Sequence, residues 1–511
     1  MNLITRKKTV SDLTRREFIR RAACAAVGTA AMTASIRNLR FMNAAVAQSN
    51  ITDYKALVCI FLQGGNDSNN LVIPTLPNEY ASYAAIRTPV LAIPQSAVLG
   101  VTSGNPDGHT YGFHPSCPEL QGLFGAGKLA LMFNTGTLTY PLTRAQYFSN
   151  MSRPPQLFSH ADQQTQWQTS LPDQPPSTGW GGRIADLMNS VQPNPPISLA
   201  VTLAGANTFE VGNIVAQYSI SSSGAIQLSL PGTPSGGANS NRLPALMSML
   251  GLPYTNLQSQ AYAGLAQQTV NLYSNVTAKI SPTGGANFWT NSFPTNNLIT
   301  PPEGGTAFGS NLMPQLKMVA RLIDAGNTSL ALGGFGMKRQ IFFVQVGGYD
   351  LHTGQTNYSA NTPNNVLVGA HTNLLAELSQ SMNAFQEAMH QLGLENNVVC
   401  FTASDFSRTF PCNGSGTDHG WGSHHLIMGG TGLQNGVYAK DAVKGGQTYG
   451  KFPTLTVNGP DDTGTGRWIP STSTDQYFAT LATWFGVDSS HLSTVFPNIG
   501  RFASSNLGFM G

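Results

Sequence analysis

"KALVCIFLQGGNDSNN", residues 55–70, opens with an unbroken apolar run that ends in two glycines and an aspartate. Continuous apolarity over strand length, with β-branched residues inside, is the pattern of a strand buried on both faces. Runs of the same kind recur: KLALMFNTG (128–136), PISLAV (196–201), IFFVQVGG (341–348), NVVCFTAS (397–404) and HLIMGG (425–430). Helical patterns fall between them, notably GWGGRIADLM (179–188), LMPQLKMVARLIDAG (312–326) and a long stretch near 368–394. This alternation predicts an α/β fold, a mostly parallel sheet with helices on both faces. Residues 202–305 break the rhythm and read as a cap or insertion on a single domain spanning 48–511. No fixed-period repeat appears.

Only 10% of the 511 residues are charged, against roughly 25% in average soluble proteins, so the chain reads as loop-rich and uncharged-polar. A net charge of +3 offers no basic face for nucleic acid. Part of that charge lies in TRREFIRR (14–21), followed by a short, weakly apolar stretch and by AVAQ (45–48) with small residues at the cleavage positions. Residues 1–47 thus resemble a twin-arginine signal peptide, which predicts passage through the twin-arginine translocase to the periplasm or medium. The apolar run is shorter than the ~20 residues of a bilayer span, so no transmembrane anchor is expected. Cys59, Cys117, Cys400 and Cys412 remain beyond the signal. Cys59 and Cys400 sit in apolar runs, whereas Cys117 and Cys412 could pair, which spacing leaves open.

Chemistry-bearing residues collect where the strands end. The first strand runs into Asp67, the strand at 341–348 into Asp350 and His352, and the strand at 397–404 into Asp405. The loop beyond supplies GTDHGWGSHH (416–425), with Asp418, His419, His424 and His425. In parallel sheets, sites form beyond the carboxyl ends of strands. Carboxylates crowded there repel unless a cation neutralises them, and Asp-x-His places two ligands on one metal. Each residue alone has a plainer reading: a turn or helix cap for Asp67, an Asx turn for Asp418, strand-edge imidazoles for His424 and His425.

Seven segments, VCIFLQGGNDSNNLVIP, FHPSCPELQGLFGAGKLALMFNTG, FSHADQQTQWQ, GWGGRIADLM, VQVGGYDLHTGQ, TASDFSRTFPCNGSGTDHGWGSHHLIMGG and STDQYFATLATWFGV, together resemble the bacterial family called domain of unknown function 1501. That family is grouped with the alkaline phosphatase and sulfatase superfamily. The resemblance implies an alkaline phosphatase-like core, hydrolysis of phosphate or sulfate esters, and a divalent metal (Zn, Ca, Mg or Mn). It implies metal roles for Asp67, Asp350, His352, Asp405 and His419. The superfamily places histidine directly after the aspartate matched by Asp405, where this chain has Phe406, which leaves one metal missing, weak or differently completed, with Asp418, His424 or His425 as candidate substitutes.

Such a hydrolase needs a hydroxyl nucleophile at a helix start, and Ser159 in FSHADQQ is the candidate, with Ser68 second. Arg408 would clamp an anionic ester oxygen, or form a salt bridge within its loop. No CxPxR motif is present for formylglycine chemistry, nor GxSxG, Walker A or HExxH. The expected function is therefore an exported metal-dependent hydrolase acting on a small-molecule or glycan ester. The rival is a non-catalytic envelope protein using the fold as a glycan- or protein-binding platform.

Overall fold

The structure, a computed structural model, describes residues 51–149, 151–189, 191–192, 195–225, 242–252, 272–273, 275–280 and 288–511. Residues 1–47, read above as a signal peptide, and much of the stretch at 202–305 lie outside the described residues.

The core is a nine-stranded sheet. Its strands are β1 (Lys55–Leu62), β2 (Leu129–Gly136), β3 (Ala200–Thr202), β4 (Tyr218–Ser219), β5 (Arg339–Val346), β6 (Val398–Ser404), β7 (Ser423–Met428), β8 (Thr448–Tyr449) and β9 (Thr472–Ser473). The order is β8-β2-β7-β6-β1-β5-β3-β4, with β9 also on β2. Every pairing is parallel except the two made by β7, against β6 and β2. Eight strands therefore run one way and β7 alone runs back. The mainly parallel α/β fold read from the apolar runs is what the chain adopts, in a mixed form.

Every residue of β1, β2 and β6 is buried. Because successive side chains point to opposite faces, both faces must be covered. Two neighbours on β5 show how. Gln340 packs so closely beneath Gly326 of helix α4 (Met313–Asn327) that a Cβ at Gly326 would lie 2.0 Å from the Gln340 side chain. On the opposite face, Arg339 Nε donates to the Phe485 carbonyl of α6 (Thr474–Phe485) at 2.7 Å. On that side Trp180 of α3 (Trp180–Met188) stacks on Phe478 at 4.3 Å, and Phe401 of β6 meets both rings.

Within 202–305, Tyr218–Ser219 extends the main sheet beside β3 and Leu298–Ile299 pairs with Phe308–Gly309. Cys117 and Cys412 are both free: the Cys117 thiol is buried and points to the Leu375 carbonyl, while Cys412 accepts from Gly414 N. No helix of the described residues is long and apolar enough to cross a membrane.

Candidate metal centre

The register fixes which residues can meet. Leu62 at the end of β1 lies beside Val346 of β5 and Ser404 of β6, so the segments carrying Asp67, Asp350 and Asp405 leave the sheet at one edge. Because β7 runs antiparallel, its first residue, Ser423, lies opposite Thr135 near the end of β2, which brings the preceding His419 to that same edge. The loop after β2 leads to α2 (His160–Thr169), whose first residue is a histidine. The Gly64-Gly65 turn lets these loops approach. Both glycines have positive φ, and a Cβ would lie 2.5 Å from Asp350 N at Gly64 and 2.5 Å from the Phe406 ring at Gly65.

At this edge His160, Asp350 and His419 each offer one ligand atom, all within 4.8 Å of one another, forming a possible metal-binding triad. His160 Nε2 lies 3.4 Å from Asp350 Oδ2, and His419 Nε2 lies 3.3 Å from Asp350 Oδ1. His352 Nε2 joins them, 3.2 Å from Asp350 Oδ1 and 2.9 Å from His419 Nε2.

The other nitrogen of each ring is already committed. His160 Nδ1 meets Asp405 Oδ2 at 2.6 Å, His352 Nδ1 meets Asp418 Oδ1 at 3.1 Å, and His419 Nδ1 donates to the Phe158 carbonyl at 2.7 Å. A carbonyl or carboxylate can only accept, so each Nδ1 carries a proton and each ring turns its Nε2 inward, a bare lone pair wherever the ring is neutral. His160 Nε2 is buried without a hydrogen-bond partner. Lone pairs facing one another and a carboxylate need a cation among them, either protons or a metal. Imidazoles fixed through their outer nitrogen by a carboxylate or carbonyl are the usual setting of metal-binding histidines, so the residues present fit a divalent ion.

The charges around the cluster favour a cation there, a proton included: the hydrogen bond that His160 Nδ1 gives to Asp405 raises the pKa of the imidazole against the opposing effect of burial. Burial lowers His419. Burial works to raise Asp350, but Arg408 and the imidazoles outweigh it and hold the carboxyl low. Phe406 is fully buried, with its ring 4.8 Å from that of His160 and 4.7 Å from that of His419. The residue standing where a histidine was expected is thus the apolar wall behind two of the imidazoles.

The residues singled out in the sequence are distributed differently from the expectation. Asp350, His352 and His419 come together. Asp405 lies behind the cluster: fully buried, it accepts from His160, from Gln164 Nε2 at 3.0 Å and from Gly64 N at 3.2 Å. Asp67 is held elsewhere, in a buried ion pair with Arg87 and a 2.5 Å bond from Gln355 Nε2. Burial alone would raise Asp67, but Arg87, His371 and Gln355 keep it ionised. Its negative charge is thus neutralised by a guanidinium.

Arg408 is buried and gives Nη1 to Asp350 Oδ1 at 2.7 Å and to the Gly64 carbonyl, and its remaining bonds go to Thr417. Its guanidinium orients Asp350, a salt bridge made to the loop after β5 and not within its own loop. The Ser159 hydroxyl donates to Asp162 at 2.6 Å, and the Ser68 hydroxyl is buried against that of Ser407. His424 and His425 lie in the core on β7, too far into the sheet to substitute as ligands. The His424 ring packs on Phe133 and Phe452, and the His425 ring on Trp167 and Tyr477.

His160 was missed. It follows Ser159 in the sequence without any ligand-like spacing, and only the return of the chain after β2 brings it to the edge.

Fold and cluster define a mixed α/β protein with a His/Asp centre beyond the carboxyl ends of its parallel strands. Residues 314–494 match the family described as "Protein of unknown function (DUF1501)". That span carries Asp350, His352, Asp405 and His419, while His160 lies outside it. No curated protein matches the chain. Among solved structures, the sulfatase in "Crystal structure of PsFucS1 sulfatase from Pseudoalteromonas sp." aligns with 12% identity and a TM-score of 0.27, over 92% of this chain and 74% of that one. A likeness this distant carries no argument about chemistry.

Proposed function

We propose that this chain is a metal-dependent hydrolase of phosphate or sulfate esters, exported by the twin-arginine route to the periplasm or medium. The observation that carries the reading is the convergence of three imidazole Nε2 atoms on Asp350, each ring fixed by its Nδ1. His160, Asp350 and His419 would hold the ion, and His352 stands close enough to be a further ligand. Imidazole nitrogens with one carboxylate suit Zn²⁺ better than Ca²⁺ or Mg²⁺, which favour all-oxygen sites. A bound divalent ion supplies Lewis-acid stabilisation of charge on the transferred group and a lowered pKa for bound water.

The protein's own contribution is positional. Arg408 and Gly64 hold Asp350 and Asp405 in place, and Phe406 keeps water from the rear of the imidazoles. Because the Ser159 hydroxyl is engaged by Asp162, we assign the attacking oxygen to water rather than to a side chain. Metal content of the purified protein, followed by assay of phenyl phosphate and phenyl sulfate with Zn²⁺ or Mn²⁺, tests the proposal. Absence of bound metal together with no turnover after metal addition would sink it.

One observation favours the second reading, a non-catalytic binding platform: each hydroxyl near the cluster already has a protein partner, including Thr417 Oγ1 on Gln355. Under that reading His419→Ala abolishes metal uptake and no ester is turned over by the loaded wild type.

A further inference from the structure

A cavity of about 380 Å³ is lined by Tyr147, Arg153, Pro154, Pro155, Gln156, Leu157 and Phe158, on the segment that leads into His160. This size falls within the range of small-molecule sites. It shares a wall with the candidate metal centre, because the Phe158 carbonyl is the group that fixes His419 Nδ1.

The loop is firmly tied. The Pro155 carbonyl accepts from Gln166 Nε2 at 2.9 Å, and the Gln156 carbonyl accepts from Ser159 N at 3.3 Å. Three non-glycine residues within seven, Ser152, Gln156 and Phe158, have positive φ of 56°, 51° and 71°. Such conformations are costly for side chains of this bulk and concentrate where a loop must hold a shape for function.

Arg153 is the only charged residue in the lining. Its guanidinium lies 5.0 Å over the Tyr147 ring and, among the described residues, has neither an ion-pair nor a hydrogen-bond partner. A second guanidinium backs the wall: Arg467 stacks 4.3 Å over Phe158 and donates its Nε to the His419 carbonyl at 2.7 Å. The cavity thus opens to solvent beside the centre, with proline edges, the Tyr147 and Phe158 rings in its wall, and the exposed Arg153 guanidinium at its rim.

We propose that this cavity is the subsite for the organic part of the substrate, and that this part is a ring carrying a second negative charge, read by Arg153. The proposal rests on the hydrolase reading for the ester itself, but the subsite can be probed without it. The water-dependent step is balanced as ring–O–phosphate (or sulfate) plus water giving ring–OH plus the inorganic anion. The water oxygen bonds to phosphorus or sulfur, the P–O or S–O bond to the ring oxygen breaks, one water proton passes to that ring oxygen while the other stays with the inorganic anion, and the ring alcohol remains in the cavity.

The test uses 4-hydroxybenzoate and phenol as binding probes by calorimetry, and 4-carboxyphenyl against unsubstituted phenyl phosphate and sulfate as kinetic probes. Each is applied to the wild type and to Arg153→Gln, a surface substitution that leaves the packed core untouched. Loss of one charge-assisted contact is expected to weaken 4-hydroxybenzoate binding about tenfold and to raise KM for the carboxylated ester by a similar factor, a larger change than for the phenyl ester. If 4-hydroxybenzoate binds no better than phenol, or Arg153→Gln leaves its affinity unchanged, the subsite is refuted even where phenyl esters are turned over. If charge-selective binding through Arg153 is found but no ester reacts, the subsite stands and the hydrolase reading falls.

Discussion

Asp405→Asn separates the geometry from the expectation that Asp405 is itself a ligand. The native carboxylate is fully buried and accepts three hydrogen bonds, from His160 Nδ1, Gln164 Nε2 and Gly64 N. All three partners are donors in the native arrangement, and an amide has only one accepting atom. Whichever way it turns, an N–H₂ faces a donor. If it faces His160, the ring must change tautomer, which moves the proton to Nε2 and removes the lone pair aimed at Asp350 and His419.

Loss of such an outer-shell partner costs about 10–100-fold in metal affinity, equivalent to ~1.4–2.8 kcal/mol. Loss of a hydrogen bond to a charged group costs roughly 1.5–3 kcal/mol of fold stability besides. Chelator-competition titration with Zn²⁺ gives the first quantity and urea denaturation of the metal-free protein gives the second. His160→Ala, which removes a ligand outright, is the reference and should bind more weakly still. Should Asp405→Asn retain wild-type Zn²⁺ affinity while losing stability, the carboxylate does not act through His160 and the reasoning is wrong.

The other predictions use the same assays. Asp67→Asn leaves the buried Arg87 guanidinium without its counter-charge and should cost about 3–5 kcal/mol in urea denaturation, while metal stoichiometry stays that of the wild type; loss of a metal equivalent with stability intact would restore Asp67 as a ligand. Ser159→Ala should keep metal binding and any ester turnover within about threefold, well short of the losses seen when a catalytic nucleophile is removed. Burial holds His114, His424 and His425 to a pKa of about 3, and His371 to about 4. These values lie below the ~6.5 of an unfolded imidazole. The stability they confer is complete above pH 6.5 and is lost as pH falls toward 4 and 3, because the unfolded chain takes up protons that the folded chain refuses. Within that window each ring contributes a slope of roughly 1.4 kcal/mol per pH unit. Urea midpoints measured from pH 7 to 4 should therefore fall steeply, and a flat profile would show that these imidazoles are solvated.

Much of the fold was legible because strands buried on both faces leave no choice of residue type. KALVCIFL and VVCFTAS announce β1 and β6 through unbroken apolarity, which only a covered sheet requires. The same logic placed Asp350 and His352 at a strand end. The reversed strand β7 was not legible, because "SHHLIM" is equally apolar whichever way it runs.

The sequence by itself therefore determined the α/β class and the edge where the chemistry gathers, since burial and turn formation are local demands on composition. The tertiary structure alone decided which polar groups face each other. His160 becomes a partner of Asp350 only through the return of the chain after β2, and Asp67 leaves the set because Arg87, twenty residues later, reaches it first. Charge pairing and tautomer choice depend on distances of 2.6–3.4 Å between residues up to 261 positions apart, and no one-dimensional pattern carries that information.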